Sequence, residues 1–273
     1  SSGLHNLDPI KELLGIRTID VFTQEDALKL IATQTKLDFT PGTAFSYHRS
    51  DTEIILLAKI IENVTKNSFI DFTTQQVFKP LGMNNTMYNN NRSILSNTAQ
   101  SYRIEEVTYL QPINDLTLGP TNLYTTAEDL AIFYQNFTTP KSRVAELLPK
   151  LDSYVTLDSG KEFASIWGKM TLGRYFDHPE RGLPKMSWQF GLVGGYACNV
   201  FRFHSKNFIS FVLGNNNRYN GMPAMLMAYE VLEDDFTKPH FIDYSTIDIV
   251  KLKQKTLKKY EGHYWKKANG LVR

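Results

Sequence analysis

The spacing of apolar residues predicts helices in the first half of the chain. Thr23 is followed by polar and acidic residues, which is typical of a helix N-cap, and apolar residues at helical spacing come next. A stronger helix is predicted over about 51–64, and its inner face is expected to carry the apolar residues that recur every three or four positions, namely Ile54, Leu57, Ile61 and Val64. Two further helices are predicted at about 68–78 and after the capping box at 125–128.

The second half of the chain changes to the pattern of β-strands. Residues 196–203 and 207–215 are rich in β-branched and aromatic residues, and the short segment 204–206 between them is typical of a hairpin turn. Helical composition returns at 221–233. We therefore expect an α+β (mixed α/β) fold in which helices pack on one antiparallel sheet.

Composition and charge argue against several classes of partner. The 273 residues carry a formal net charge of +2, which gives no indication of nucleic acid as a partner. No apolar run approaches the roughly 18 residues of a membrane span. The single cysteine, Cys198, excludes an internal disulfide and is compatible with any cellular compartment. The six histidines show no pair at metal-ligand spacing, and no phosphate-binding or dinucleotide-binding pattern occurs, so neither a metal nor a cofactor is predicted.

Four parts of the chain carry a resemblance to a known family. They are Ser-Gly-Leu at 2–4, Pro-Gly-Thr-Ala-Phe-Ser-Tyr at 41–47 with the apolar helix at 55–62, Lys-Pro-Leu-Gly-Met-Asn-Asn-Thr at 79–86, and Leu-Tyr-Thr-Thr-Ala-Glu-Asp-Leu at 123–130. In this order they resemble the β-lactamase-like serine hydrolases, which include class C β-lactamases, penicillin-binding proteins, D-alanyl-D-alanine carboxypeptidases and related esterases. The resemblance implies a β-lactamase/transpeptidase-like fold, with an antiparallel sheet flanked by helices and a mostly helical and loop region. It also favours an extracytoplasmic location.

The family's first catalytic element, Ser-x-x-Lys at the start of a helix, is absent from the sequence. Thr33 and Lys36 have the required spacing, but they fall on the predicted helix before the Pro-Gly turn, and we interpret this spacing as coincidental. In the family, the nucleophilic serine lies well upstream of Ser-Gly-Leu. The resemblance therefore implies that the N-terminal part of the domain, with its nucleophile, precedes residue 1, and that this chain alone is inactive.

The second element, Tyr-x-Asn or Ser-x-Asn, supplies a base or proton relay beside the serine in the family. Counting forward from the Pro-Gly-Thr turn, Tyr47 takes the tyrosine position, and Arg49 replaces the asparagine. Counting back from Leu-Leu-Ala at 56–58, the element falls instead on Arg49-Ser50-Asp51. We favour Tyr47 as the proton relay and keep Arg49 as the alternative register. Tyr47 as a core aromatic beside the turn is the competing interpretation.

The third element, Lys/His-Thr/Ser-Gly, lies in the family on the strand that lines the active site, where it binds the substrate carboxylate. Counting back from Gly195, the matching triplet is Gln189-Phe190-Gly191. The glycine is kept, while an amide and a phenyl ring replace the cation and the hydroxyl. We expect these three residues, with Gly194 and Gly195, to contact a substrate that is not a carboxylate and is more apolar. Gly194 and Gly195 could equally serve close packing at the start of a strand.

The sequence is compatible with two functions. The first is a serine hydrolase that acts on a small-molecule or peptide amide or ester, such as a peptidoglycan-type peptide, a β-lactam or a small ester, through an acyl-serine whose nucleophile lies outside this chain. The second is a non-catalytic binding or scaffold protein that keeps the fold, which the two altered elements favour.

The chain is predicted to contain an incomplete hydrolase domain at 1–240, followed at 241–273 by a linker and the start of a β-rich domain. In the family, earlier strands and a helix complete the hydrolase domain. We therefore expect that the missing N-terminal segment is a required partner, and that without it a sheet face or edge stays exposed. The residues expected to be left in water include Phe201, Phe203, Phe208 and Phe211.

Overall fold

A computed structural model describes residues 2–45, 51–89, 95–165, 168–173, 175–177, 186–218, 222–232, 265–267 and 270–272. The helices in these ranges are α1 (Leu7–Leu13), α2 (Gln24–Ala32), α3 (Asp51–Thr65), α4 (Phe69–Thr73), α5 (Lys79–Leu81), α6 (Ala127–Gln135), α7 (Arg143–Leu151) and α8 (Met222–Val231). The strands are β1 (Phe22–Thr23), β2 (Met87–Tyr88), β3 (Tyr102–Ile104), β4 (Thr108–Leu110), β5 (Asp115–Leu116), β6 (Leu123–Tyr124), β7 (Ala164–Ser165), β8 (Gly168–Met170), β9 (Phe176–Asp177), β10 (Met186–Val193), β11 (Tyr196–Phe203), β12 (Phe208–Gly214), β13 (Trp265–Lys267) and β14 (Gly270–Val272).

The main sheet of the described residues has six antiparallel strands in the order β12-β11-β10-β9-β8-β7. Each strand pairs with its neighbour in sequence, so the sheet is a meander built from local turns. β11 and β12 pair from Ala197 opposite Gly214 to Phe203 opposite Phe208. The turn between them closes with Asn207 in a left-handed conformation, at φ +48°. The predicted hairpin, and with it the mixed helix-and-sheet fold, is confirmed.

Helices cover both faces of this sheet. On one face α8 packs on the sheet through a buried cluster: Met186, Phe201, Phe203, Ala224, Met225, Ala228 and Tyr229. On the other face Tyr134 and Phe137, from α6 and the turn after it, pack on Val200. Phe203 is 0% exposed and Phe201 is 7% exposed.

The prediction that a sheet face stays in water is therefore wrong for the residues that motivated it. Phe208 packs against the α8 cluster and Phe211 against the α6 cluster. The error arose because helices later and earlier in the chain cover the two faces, which strand periodicity alone does not reveal. The outer edge of β12 is unpaired, because β12 ends the sheet and no strand of the described residues pairs beyond it.

The long helix α3 forms where the sequence predicts it, but it buries a different face. Thr52, Ile55 and Ala58 are buried, whereas Leu57 is 52% exposed and Val64 is 75% exposed. Apolar residues surround most of this helix, so their spacing alone did not identify the inner stripe. Packing against α2 decides the orientation, since Ile55 belongs to the same buried cluster as residues of α2.

Two of the segments that carry the family resemblance contact each other. β2 and β6 pair antiparallel, and they bring the segment at 79–86 next to the segment at 123–130. Asp129, only 2% exposed, accepts hydrogen bonds from the Asn85 amide at 2.8 Å and the Thr86 hydroxyl at 2.6 Å. A buried carboxylate requires such donors, so the two segments depend on each other structurally.

The Ser-Gly-Leu segment fixes the position of α1. Gly3 has a φ of +76°, and a side chain there would place its Cβ 2.1 Å from the Phe39 carbonyl oxygen. The Asp38 amide donates to the Gly3 carbonyl at 2.8 Å, and the Thr52 hydroxyl donates to the His5 carbonyl at 2.7 Å. The segment is thus held between residues 37–39 and the start of α3.

The C-terminal part contributes little to this architecture in the described residues. β13 and β14 form a two-stranded antiparallel pair. The predicted domain boundary near residue 240 lies outside the described residues, so the division into 1–240 and 241–273 stays a prediction. None of the helices described above combines the length and apolar composition that a membrane crossing requires.

Candidate active-site cleft

A cleft of about 960 Å³ separates the end of β10 from the helical part of the molecule. One wall consists of residues 188–194, together with Asn199 of the neighbouring strand β11. The opposite wall is formed by α1, the segment at 16–22, the start of α3 and the loop at 113–121. The cleft therefore lies where a strand edge faces helix and loop residues, an arrangement suited to holding an extended ligand.

The sheet wall offers an unpaired strand edge. β9 pairs with β10 only at Ser187 and Trp188, so from Gln189 onward no described strand covers that edge. The other edge of β10 is fully paired with β11, from Met186 opposite Phe203 to Val193 opposite Tyr196. Backbone donors and acceptors of the outer edge thus face the cleft, where a substrate backbone can pair with them.

The triplet matched to the family's third element lies on this edge. Gln189, Phe190 and Gly191 all line the cleft, and their contact with a substrate stays a prediction. Alternation along the strand directs Gln189 to the opposite face from Phe190, which is 38% exposed. A Cβ added at Gly191 meets no described atom within 4 Å, so this position opens directly onto free space.

The two following glycines have different surroundings. Gly194 lines the cleft and has a φ of +58°, and a Cβ there would lie 2.2 Å from Ile113 Cδ1. Gly195 is not among the lining residues; its amide donates to Ser101 Oγ at 2.8 Å, and a Cβ would lie 2.2 Å from the Tyr102 carbonyl oxygen. Both glycines allow the β10–β11 turn to approach the segment at 101–113 closely, and only Gly194 also reaches the cleft.

Of the region around the second element, the structure describes the chain up to residue 45 and again from Asp51. Tyr47 and Arg49 lie outside the described residues, so their roles stay predictions. Asp51, the first residue of α3, lines the cleft opposite β10. The chain that carries the predicted proton relay therefore enters α3 at the wall of the cleft.

An ion-paired cluster on the helical wall was not predicted. Lys11 Nζ lies 2.9 Å from Asp115 Oδ2 and 3.0 Å from Asp8 Oδ1. The other oxygen of Asp115 accepts hydrogen bonds from the Thr117 amide at 3.0 Å and hydroxyl at 2.6 Å. Lys11 and Asp115 are 104 positions apart, and no sequence motif links them, so this contact could not be predicted.

This pairing keeps both partners charged. Burial acts to raise the pKa of the Asp115 carboxyl, but the hydrogen bonds from Thr117 and the charge of Lys11 outweigh it and hold the pKa below its ordinary value. Burial acts to lower the pKa of the Lys11 amine, and the two carboxylates outweigh it, so that pKa is raised. The parallel pairing of β1 with β5, Phe22 opposite Asp115, holds the segment at 16–22 beside this cluster.

The β-lactamase family model matches residues 5–229. The chain belongs to the β-lactamase family. Its α+β fold, with helices on both faces of an antiparallel sheet, agrees with this membership.

Similar proteins in this family include peptidases and penicillin-binding proteins. A D-aminopeptidase of Brucella anthropi is 24% identical over 205 residues, which are 74% of this chain and 37% of that protein. A D-aminopeptidase of Cereibacter sphaeroides is 35% identical over 82 residues, which are 30% of this chain and 16% of that protein. The chain thus spans well under half the length of these curated relatives.

Solved structures share the fold at low sequence identity. The octameric penicillin-binding protein homologue from Pyrococcus abyssi has a TM-score of 0.66 and 21% identity, with 83% of this chain and 51% of that chain covered. The penicillin-binding protein from Bacillus halodurans has a TM-score of 0.67 and 19% identity, with 85% of this chain and 69% of that chain covered. Both likenesses establish the β-lactamase/transpeptidase-like architecture.

One serine of this β-lactamase-family chain lies beside a histidine but is not a plausible nucleophile. Ser187 Oγ is 3.1 Å from His204 Nε2, and Arg202 lies 2.9 Å from His204 Nδ1. Arginine only donates, so Nδ1 accepts and the ring hydrogen resides on Nε2, directed at the serine. The histidine is therefore in the wrong tautomer to remove the serine proton, and Ser187 is only 1% exposed. The cluster stabilises the sheet and does not provide a catalytic serine.

Proposed function

We propose that this chain forms the substrate-binding part of a serine hydrolase that cleaves an amide or an ester. A serine from outside these 273 residues attacks the substrate carbonyl, and the leaving amine or alcohol departs with a proton. Water then cleaves the resulting acyl-serine ester. Tyr47 relays protons in both steps, and the edge of β10 at Gln189–Gly191 holds the substrate.

The observation that carries this proposal is the cleft itself. In a chain of the β-lactamase family, the strand edge with the altered third element faces the start of α3, which directly follows the predicted second element. The start of α3 and the strand edge, which are about 140 positions apart in sequence, thus border one space that is large enough for a small peptide.

The similar proteins support an amide as the substrate. Both the Brucella anthropi and the Cereibacter sphaeroides relatives are D-aminopeptidases, and a fold relative from Ochrobactrum anthropi is a D-amino acid amidase. The absence of Ser-x-x-Lys from the sequence supports a nucleophile located elsewhere. We therefore favour a short peptide or amino acid amide over a β-lactam.

Active-site labelling tests the proposal. We expect a fluorophosphonate probe to label the product of the complete open reading frame at one serine that lies outside these residues. Tyr47→Phe should slow labelling by about a hundredfold, which is the lower range of general acid–base effects. Tyr109→Phe is the matched control, because Tyr109 is exposed on β4 and does not line the cleft. Labelling of a serine within these residues, or no labelling at all, would contradict the proposal.

The isolated chain provides a second test. The 273-residue chain should neither hydrolyse nitrocefin nor bind fluorescent penicillin covalently, because it contains no Ser-x-x-Lys. Stoichiometric covalent labelling of this chain would refute the proposed origin of the nucleophile.

A non-catalytic binding function is the alternative. Gln189 and Phe190, in place of a cation and a hydroxyl, are the observation that favours it. The two functions differ in one result: a complete gene product that binds ligands in the cleft but never forms an acyl-serine is a binding protein.

A further inference from the structure

A β-hairpin outside the cleft stands at the end of the cleft-lining strand β10. The hairpin consists of β3 and β4, which pair antiparallel. Its base rests on the turn between β10 and β11, because the Gly195 amide donates to Ser101 Oγ at 2.8 Å. Ile113, three residues after the end of β4, lines the cleft and lies beside Gly194. The surface of the hairpin is therefore continuous with the wall of the cleft.

Backbone groups on β4 point alternately towards β3 and away from it. The Gln111 amide donates to the Ser101 carbonyl at 2.8 Å, so these two residues form a hydrogen-bonded pair at the base of the hairpin. Hydrogen-bonded and non-hydrogen-bonded pairs alternate along an antiparallel ladder. Leu110 and Thr108 consequently direct their N–H and C=O groups outward, away from β3.

The two outer edges of the hairpin differ in their partners. On β3, the Tyr102 amide donates to the Asn215 carbonyl at 2.9 Å, and the Ile104 amide donates to the side-chain oxygen of Asn217 at 2.6 Å. On β4, no strand of the described residues pairs with the outward groups. The outer edge of β4 therefore offers backbone donors and acceptors to an added strand.

An apolar face of the hairpin adjoins this free edge. Leu110 lies directly opposite Tyr102, and residues opposite each other share one face of a sheet, as does Ile104 two positions along β3. Tyr102 is 37% exposed and Leu110 is 49% exposed. Tyr109 points to the other face, opposite Arg103. A chain added to β4 can therefore place every second side chain against Leu110 and Tyr102.

A buried acceptor lies between the free edge and the cleft. Gln111 follows β4 directly and precedes the cleft-lining Ile113 by two positions. Its side-chain oxygen is buried and accepts no hydrogen bond from any described residue. Buried acceptors are normally satisfied, so this oxygen favours a ligand that brings N–H donors. The backbone of an extended peptide supplies such donors at regular intervals.

We propose that the outer edge of β4 and the face of Tyr102 and Leu110 bind the distal part of an extended peptide whose other end lies in the cleft. The peptide adds to β4 as a third strand and reaches the cleft past Gln111 and Ile113. That this peptide is a substrate rests on the proposed function, whereas the binding surface itself needs no nucleophile. A single amino acid amide fills only the cleft, so peptide length is the property that this surface selects.

Three ligands of different length test this proposal on the 273-residue chain. D-phenylalaninamide is the short ligand, and two pentapeptide amides extend it by Thr-Val-Thr-Val at its amino or its carboxyl end. In calorimetric titration, one pentapeptide should bind about tenfold more tightly than D-phenylalaninamide, which corresponds to a few cross-strand pairs. N-methylation of alternate amides in that pentapeptide should abolish the gain, because the backbone can then no longer pair. Equal affinities, no binding by any ligand, or a gain that survives N-methylation would overturn the proposal.

Two adjacent residues of β4 provide a variant and its matched control. Leu110→Thr removes an apolar side chain from the proposed surface and should reduce the affinity for the pentapeptide about threefold, while D-phenylalaninamide binds as before. Tyr109→Thr removes a side chain of similar exposure, 42% against 49%, from the opposite face of the hairpin, and should leave both affinities unchanged. Equal effects of the two substitutions would show that the ligand does not use the face of Leu110, against the proposal.

A second copy of the chain is the competing occupant of the free edge. Sedimentation velocity at increasing protein concentration measures self-association. A monomer that gains affinity from the longer peptide supports the proposal. A dimer that Leu110→Thr weakens, without tighter binding of either pentapeptide, would assign β4 to self-association and overturn it.

Failure of this inference and failure of the proposed function are distinguishable. A chain that prefers a pentapeptide, while the complete gene product forms no acyl-serine, keeps the binding surface and loses the hydrolase. A gene product that is labelled on serine, while binding is independent of peptide length, keeps the hydrolase and loses the binding surface.

Discussion

The two walls of the cleft are built on different physical principles. The sheet wall, from Trp188 to Gly194, consists of backbone edge, apolar side chains and one amide. The helical wall is dense in charge and is held by contacts between distant parts of the chain, such as Lys11 with Asp115 and β1 with β5.

This difference separates two tasks of a binding site. A strand edge recognises the backbone of a ligand through evenly spaced donors and acceptors, and shape limits what fits beside it. Charges on the facing wall discriminate between ligands of similar shape. The charged side chains of the described lining all lie on the helical wall, which makes the two walls separable by mutation.

The largest effect is expected on the sheet wall, at Gly191. Gly191→Trp places an indole into open space in the cleft, so D-phenylalaninamide binding should fall by more than about a hundredfold. The thermal unfolding midpoint should hardly change, because no described atom lies within 4 Å of the added Cβ. Gly191→Ala is the control and should bind nearly as the unmodified chain does. Unchanged affinity in the tryptophan variant would show that the ligand does not use this edge.

Substitutions in the helical wall should lower the free energy of unfolding as well as the affinity for a ligand. Lys11→Met leaves the carboxylates of Asp8 and Asp115 without their cation, in a position where each side chain is a third exposed or less. Loss of one partner of a buried pair costs about 3 kcal/mol or more, and partial solvent access reduces this to about 2 kcal/mol here. Urea denaturation measures the change. Lys29→Met, which breaks an exposed pair with Glu25, should cost much less.

Acid should weaken the helical wall through Asp115. The folded-state pKa of this carboxyl lies below its unfolded value, so its stabilising contribution is complete above the unfolded pKa, near 4. That contribution is lost as the pH falls through the folded-state pKa, because the carboxylate is then protonated and no longer pairs with Lys11 as an anion. The free energy of unfolding should therefore fall less between pH 5 and pH 2 in Asp115→Asn than in the unmodified chain. Identical pH profiles would contradict the assigned role of Asp115.

The smallest effect is expected at the exposed border of the helical wall. Asp20→Asn breaks the pair with Arg17, which is largely in solvent, so the unfolding midpoint should stay within experimental error. Binding of D-phenylalaninamide should weaken about twofold at low salt, since one cleft charge is lost. A large loss of stability would mean that the segment at 16–22 depends on this pair more than its exposure suggests.

The two walls of the cleft are predictable from the sequence to different extents. The hairpin of β11 and β12 could be predicted, because strand patterns are local in sequence, and the motif count assigned the triplet at Gln189–Gly191 to a strand, where the structure has it on β10. The Lys11–Asp115 pair could not, because nothing in the neighbourhood of either residue points to the other. The buried face of α3 was also missed, since only the tertiary position of α2 distinguishes Ile55 from Leu57 as the inner residue.

Cys198 is a natural chemical probe of motion at the β10–β11 hairpin. The thiol lies on β11 directly opposite Gly191, and burial raises its pKa to about 11. Only on the order of one molecule in ten thousand carries the reactive thiolate at neutral pH, and a reagent must also reach it inside the fold. Cys198 is partly buried against the cluster of Tyr134, Phe137 and Val200, so the rate of alkylation reports how often this packing opens. If a ligand on the outer edge of β10 makes the sheet more rigid, alkylation of this single sulfur atom should slow when the ligand is bound.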